Sequence, residues 1–184
     1  MDRDALVDLL LETMTLKWMP RTGWVMRGVP GAESVAEHSF GVAIVSLALA
    51  DALADKALDL NKVLVMALLH DLAEVRLTDL PITAARLVPE EVKSQAESAA
   101  IEDLLAPMPA SGRWQALWRE FEDRTSPEGR LVRDADKLEM MIQCLRYEQA
   151  GSRGLDEFWQ VMDQQQWHYS LVAEVYARLR ARRV

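Results

Sequence analysis

Two stretches of this chain are apolar on every side of a helix, and that limits its fold more than any other feature. From Ser34 to about Ala54, and again over Val63–Leu69, apolar residues follow one another without the strict apolar/polar alternation of a half-buried strand. A short apolar run such as Val63–Leu69 also suits a buried strand. Its continuation through Asp71-Leu72-Ala73-Glu74, with no breaker, favours helix. Elements that are apolar all round belong in the middle of a bundle.

The rest of the chain reads as helices joined by short turns marked by Pro and Gly. We expect helices over about 2–17, 34–54, 60–76, 111–123, 127–149 and 168–183, a shorter one within 154–165, and another opening at Pro89. A loop covers 20–31, and Thr78-Asp79-Leu80-Pro81 ends the 60–76 element. Ser34 and Glu37 form an S-x-x-E capping box. Pro89 with Glu90 and Glu91, and Ser126-Pro127-Glu128, are start signals, because Pro fits the first turn and acids suit its positive end. The fold class is therefore all-α. At 184 residues the chain fits a single domain, long enough to bury a core.

There are three histidines, and two of them, His38 and His70, lie inside the two most apolar segments. A buried imidazole must have its ring nitrogens satisfied. His70 is followed by Asp71, and a buried carboxylate without a partner costs several kcal/mol. A metal ion would neutralise that carboxylate and use the imidazole. Neighbouring helix residues point about 100° apart, so His70 and Asp71 grip one ion only if it lies between helices. His38 can supply a third ligand, and Asp136 in the 127–149 helix is the best candidate for a fourth. His168 has no such role and reads as structural or exposed.

The net charge of −8, with 29 acidic against 21 basic residues, argues against polymeric nucleic acid, which asks for a basic face. A small anion needs only a few arginines. Cys144 is the only cysteine and sits among Met140, Met141, Ile142 and Leu145, so it reads as a small buried side chain. With no signal-peptide pattern at the N-terminus and a longest apolar run, Phe40–Ala50, too short to span a bilayer, we expect a cytoplasmic protein with no membrane partner.

His38 … His70-Asp71 … Asp136 on separate helices resembles the HD-domain phosphohydrolases. The ordered set Pro20-Arg21-Thr22-Gly23-Trp24, Glu33-Ser34-Val35-Ala36-Glu37-His38, His70-Asp71-Leu72-Ala73-Glu74, Thr78-Asp79-Leu80-Pro81, the Asp136 helix and Gly154-Leu155-x-x-Phe158 is similar to the HD-domain 5′-nucleotidases, bacterial and human-type. The similarity runs from about residue 10 to 180. It implies a helical HD-domain bundle and one divalent ion, usually manganese or cobalt in assays, with magnesium, zinc, iron or nickel as other candidates. It implies release of phosphate from (deoxy)nucleoside 5′-monophosphates by attack of a metal-bound water. It also implies a homodimer, which the six tryptophans suit because aromatic residues are enriched at interfaces.

By its place in the motif, Arg21 binds the substrate phosphate, and Glu74 and Asp79 are active-site acids. Trp24, beside Arg21, is the one tryptophan with a substrate role. The chemistry of the side chains agrees: a guanidinium fork matches phosphate oxygens, and Glu74, four residues after His70, shares its helix face. Which of Glu74 and Asp79 acts as the acid stays open. In the bacterial enzymes the arginine is followed directly by tryptophan, whereas here Thr22 and Gly23 intervene, so selectivity for deoxyribose stays open too. No histidine lies between Asp71 and Asp136, which argues for one metal rather than two. The alternatives are an HD-type hydrolase of a polyphosphorylated nucleotide and a non-catalytic, metal-containing ligand-binding bundle. The latter needs neither Arg21 nor Glu74 near the ion.

Overall fold

The capping box forms as the sequence requires. Glu37 Oε2 accepts from the Ser34 backbone N–H at 2.7 Å, and Ser34 Oγ accepts from the Glu37 N–H at 3.2 Å. In the computed structural model, which describes residues 2–53 and 57–183, this box opens the central helix. The helices are α1 (Arg3–Thr13), α2 (Thr22–Met26), α3 (Val35–Leu53), α4 (Leu60–Leu69), α5 (Glu74–Leu77), α6 (Ile82–Ala85), α7 (Glu90–Leu105), α8 (Ser111–Glu122), α9 (Pro127–Gln149), α10 (Asp156–Met162) and α11 (Ser170–Arg180). No strand occurs among the described residues. The expected end of the second long helix at Ala54 lies outside them.

The middle of the bundle is α3 against α4 and α9, with α8, α10 and α11 packed around α9. Val42, Val63, Met66, Leu131, Ala135 and Met141 fill the space between the three central helices. A smaller cluster, including Leu9, Leu16, Val35, Leu72, Ile101 and Trp118, closes the α1, α5 and α7 side. By length and composition α3 could cross a membrane. Here it carries His38, Ser39 and Ser46 on a buried face, as a core helix does. Cys144 is fully buried, and burial pushes its thiol up to about 12.

Two expectations need correction. The loop 20–31 contains a short helix, α2, whose first backbone N–H is capped by the Asp79 carboxylate. Asp79 is distant in sequence, so no local signal announces it. The expected helix 60–76 is broken at His70–Ala73. There Leu72 N bonds Leu69 O at 3.0 Å and Glu74 N bonds Asp71 O at 3.1 Å, both three-residue spacings that tighten the chain before α5.

His168 is structural. Its Nδ1 lies 2.9 Å from Asp134 Oδ1, and the other Asp134 oxygen accepts the backbone N–H groups of His168 and Tyr169 at 2.9 and 3.0 Å. Asp134 is fully buried in α9, so this junction supplies the partners its charge requires.

Candidate metal centre and adjoining cleft

The structure brings His38, His70 and Asp71 together, with ligand atoms within 4.8 Å of one another, and Asp136 adjoins this group through His38. His38 comes from the first turns of α3, His70 and Asp71 from the break after α4, and Asp136 from the middle of α9. His38 Nε2 lies 3.4 Å from His70 Nε2, 3.2 Å from Asp136 Oδ1 and 3.6 Å from Asp71 Oδ2. His70 Nε2 lies 3.2 Å from Asp71 Oδ2. The break between α4 and α5 matters here. On a continuous helix His70 and Asp71 would diverge, whereas the tightened turn brings both to the same side.

The far ring nitrogens are held as well. His38 Nδ1 faces Glu139 Oε2 at 2.6 Å, and His70 Nδ1 faces the Ala67 carbonyl at 2.8 Å. With each Nδ1–H donated outward, both Nε2 lone pairs aim at the common point. Against burial and the charge of Arg21, hydrogen bonds to Asp136 and Glu139 push the His38 imidazole up to about 10, so the surroundings favour positive charge at this spot. Burial opposes the Asp71 carboxylate, but His70, Arg21 and His38 hold it well below the usual carboxylate range. Asp136 is held low in the same way by His38 and His70. Two imidazoles and two ionised carboxylates converging in a buried site fit one divalent ion.

Glu139 was not legible as a site residue. It stands one helical turn after Asp136 and is nearly buried. Gly41, one turn after His38, makes room for it: a Cβ at position 41 would collide with the Glu139 carboxylate, reaching its Cδ at 2.9 Å. A buried glutamate three residues beyond a ligand and a glycine three beyond another were the available signals. Glu33 also belongs to this group of acids around His38. Burial first, then the Glu139 charge, pushes its carboxyl up to about 7, while Trp24 Nε1 donates to it at 2.9 Å.

Arg21 stands beside the four ligands. Its extended neighbourhood is pinned by Arg21 N to Glu33 O at 2.8 Å and Val35 N to Met19 O at 2.9 Å. The guanidinium reaches Asp71 Oδ2 at 2.9 Å and Asp79 Oδ1 at 3.5 Å. Asp79 also accepts from the Thr22 backbone N–H, and its carbonyl accepts from Thr22 Oγ1 at 2.8 Å. Thr78, just before it, has φ +64°, a conformation that costs a β-branched residue energy and is met mostly where surrounding structure enforces it.

A cleft of about 210 Å³ opens next to Arg21, lined mostly by apolar groups that include Trp24, Leu80, Ile82, Met140 and Phe158. Trp24 contributes as a buried wall. It is 1% exposed, with its ring packed on Phe158 at 4.3 Å between centroids. Gly23 lets Phe158 approach to 3.4 Å of where a Cβ would stand.

Glu74 lies with His70 and Asp71 on the wall of a second, smaller cavity. Its Oε2 is buried with no hydrogen-bond partner. Burial, then the Asp71 charge, pushes its carboxyl up to about 9.

The chain is similar to a family and to several known proteins. Residues 13–172 match the HD domain family. The chain is similar to the 5′-deoxynucleotidase HDDC2 of Xenopus laevis, 34% identical over 140 residues, covering 75% of this chain and 67% of that protein. It is similar to the 5′-deoxynucleotidase YGK1 of Saccharomyces cerevisiae, 34% identical over 151 residues, with 78% and 67% covered. A conserved hypothetical protein from Pyrococcus furiosus has the same fold, with TM-score 0.82, 38% identity, and 95% of this chain and 99% of that one aligned.

Proposed function

Since this chain belongs to the HD domain family, we propose that it is a metal-dependent phosphohydrolase that releases phosphate from (deoxy)nucleoside 5′-monophosphates. The observation that carries the reading is the meeting of His38, His70, Asp71 and Asp136 within 3.6 Å of the His38 Nε2 atom, beside a buried arginine and an apolar cleft. The relatives named 5′-deoxynucleotidase support the substrate class.

His38, His70, Asp71 and Asp136 would hold one divalent ion, and we take manganese or cobalt as its identity. When bound, such an ion lowers the pKa of a coordinated water and polarises the phosphoryl group. The protein's own groups do the rest. Arg21, held in line by Asp71 and Asp79, offers its fork to the phosphate oxygens and offsets charge developing on them. Asp79 is engaged by the Thr22 N–H and Arg21, so it positions the arginine. Glu74, with a free Oε2 beside Asp71, holds and moves the proton. The apolar cleft takes the nucleoside, its lining fixing orientation through a few polar groups. The test is phosphate release from a panel of ribo- and deoxyribonucleoside mono-, di- and triphosphates, with each divalent metal and with chelator. Release confined to monophosphates and abolished by chelation is expected, and release from triphosphates alone would overturn the reading.

We also propose that the protein is a cytoplasmic homodimer. Among the tryptophans only Trp18 is largely exposed, at 83%, so aromatic number alone does not support an interface. Better support is a patch on α1 and the 3-10 turn after it: Val7, Leu10 and Leu11 follow helical spacing on α1, and these three, Met14 and Trp18 are all exposed. Light scattering should give twice the monomer mass at micromolar concentration, and Leu11→Glu should halve it. A monomeric wild type would rule the dimer out.

A further inference from the structure

Glu33 is buried where the Arg21 segment, the cleft wall and the metal ligands meet, yet it takes no part in the chemistry proposed above. A carboxyl removed from water needs partners, and those of Glu33 join parts of the site that lie apart in the chain. Its backbone carbonyl accepts from the Arg21 N–H at 2.8 Å, and its side-chain Oε1 accepts from Trp24 Nε1 at 2.9 Å. Its own backbone N–H donates to the Tyr147 hydroxyl at 2.7 Å, which moors it to α9. The Trp24 ring meets the Tyr147 ring edge-on at 5.3 Å, so indole, phenol and carboxyl form one closed lock.

The lock matters because of α2. Five residues are too few for a helix to stand by its own hydrogen bonds. Trp24 is its one buried side chain, followed by exposed Val25 and Met26, and the indole N–H is the one polar group Trp24 carries there. Trp24 N also donates to Arg21 O at 3.1 Å. Arg21 is therefore tied to Glu33 twice, directly through its own N–H and indirectly through Trp24. Removing the carboxyl leaves a buried indole donor without an acceptor, which makes the present seat of Trp24 costly to keep. Arg21, at the N-cap of α2, moves with that helix. The histidine ligands do not depend on this lock, since Glu139 faces His38 Nδ1 and the Ala67 carbonyl faces His70 Nδ1.

Resting on the phosphohydrolase reading above, we propose that Glu33 is a positioning residue for the substrate phosphate: through Trp24 it holds α2 so that the Arg21 guanidinium stays beside the metal centre. It acts through the arginine and not on the metal.

The test is a double-mutant cycle on the metal-loaded protein. It is read by steady-state kinetics with a nucleoside monophosphate and by calorimetric titration with inorganic phosphate. Glu33→Leu removes the acceptor. It should raise KM, lower kcat/KM about tenfold, weaken phosphate binding to match, and leave metal affinity within about twofold of wild type. Glu33→Gln keeps a carbonyl oxygen for the indole and should recover most of the loss. Trp24→Phe removes the same hydrogen bond from its other end and should reproduce the Glu33→Leu loss. In an Arg21→Ala background, Glu33→Leu should cost less than about twofold, because the residue it acts through is gone. Full additivity in that background would overturn the proposal, and so would loss of metal affinity in Glu33→Leu. Glu33→Leu activity and phosphate affinity within about twofold of wild type would overturn it as well. If Glu33→Leu does not fold, Trp24→Phe carries the cycle with Arg21→Ala on the same criteria. The two readings fail separately. A protein that hydrolyses no nucleoside monophosphate loses the function, while non-additive phosphate affinities still support the role of Glu33. Hydrolysis with additive losses does the reverse.

Discussion

His38 is gripped at both ring nitrogens, and the group behind it is open to substitution. Replacing Glu139 with Gln removes the carboxylate that faces His38 Nδ1 at 2.6 Å. Partners of this kind set ring orientation and basicity, so metal affinity should fall about 10- to 100-fold, measured by metal titration. Gly41→Ala should act in the same direction without touching any charge, because its Cβ would displace the Glu139 carboxylate. Unchanged metal affinity in both variants would mean that packing alone orients the ring. On the reaction side, Arg21→Ala should keep the metal and lose about ten- to hundred-fold in kcat/KM, the scale of a charged hydrogen bond of roughly 1.5–3 kcal/mol. Glu74→Gln should lower kcat about a hundred-fold with near-normal metal content, and a fully active Glu74→Gln would return the proton role to Asp79. The grouping of His38, His70 and Asp71 was legible because two histidines inside apolar helices, one with an aspartate beside it, are costly to bury unless a cation binds them. Glu139 and Gly41 were not. Their meaning depends on what faces them across the bundle, and the order of residues along the chain does not record it.

At the level of elements, long helices with start signals were the readable part. The 127–149 helix has the bounds expected, capped by Ser126, whose Oγ accepts from Gly129 N at 3.0 Å. The break at His70–Ala73 was not readable, since Leu-His-Asp-Leu-Ala-Glu contains no Pro or Gly. It is tertiary packing and the pull of the converging polar groups that override local preference there. Gly129 shows how firmly α9 is seated. A Cβ there would meet the Glu120 backbone carbonyl at 2.7 Å, and backbone cannot swing aside as a side-chain end can. Gly129→Ala should therefore cost about 1–3 kcal/mol in urea or thermal unfolding, the usual range for overpacking. Because α9 carries Asp136 and Glu139, the same variant should also bind metal less tightly. A wild-type melting temperature would show that α8 and α9 can separate freely.

For the whole molecule, the centre ties α3, the α4–α5 break and α9 together, so metal and fold are linked. A ligand present at a hundred times its Kd stabilises by about 2.7 kcal/mol. In a chain of this size each kcal/mol moves Tm by roughly 2–4 °C. Chelation should thus lower Tm by about 5–11 °C in differential scanning calorimetry, and the drop should vanish in Asp136→Ala. The junction at Asp134 has a bearing on how the molecule is made. Asp134 is buried, and the groups that satisfy it, His168 and Tyr169, lie 34 and 35 residues further along. At roughly 5–20 residues per second, translation supplies them about 2–7 s after Asp134 itself. For that interval the emerging chain holds a charge that α9 cannot yet bury, two positions from Asp136. The nascent protein therefore reaches a binding-competent state only once residues 168 and 169 have been added.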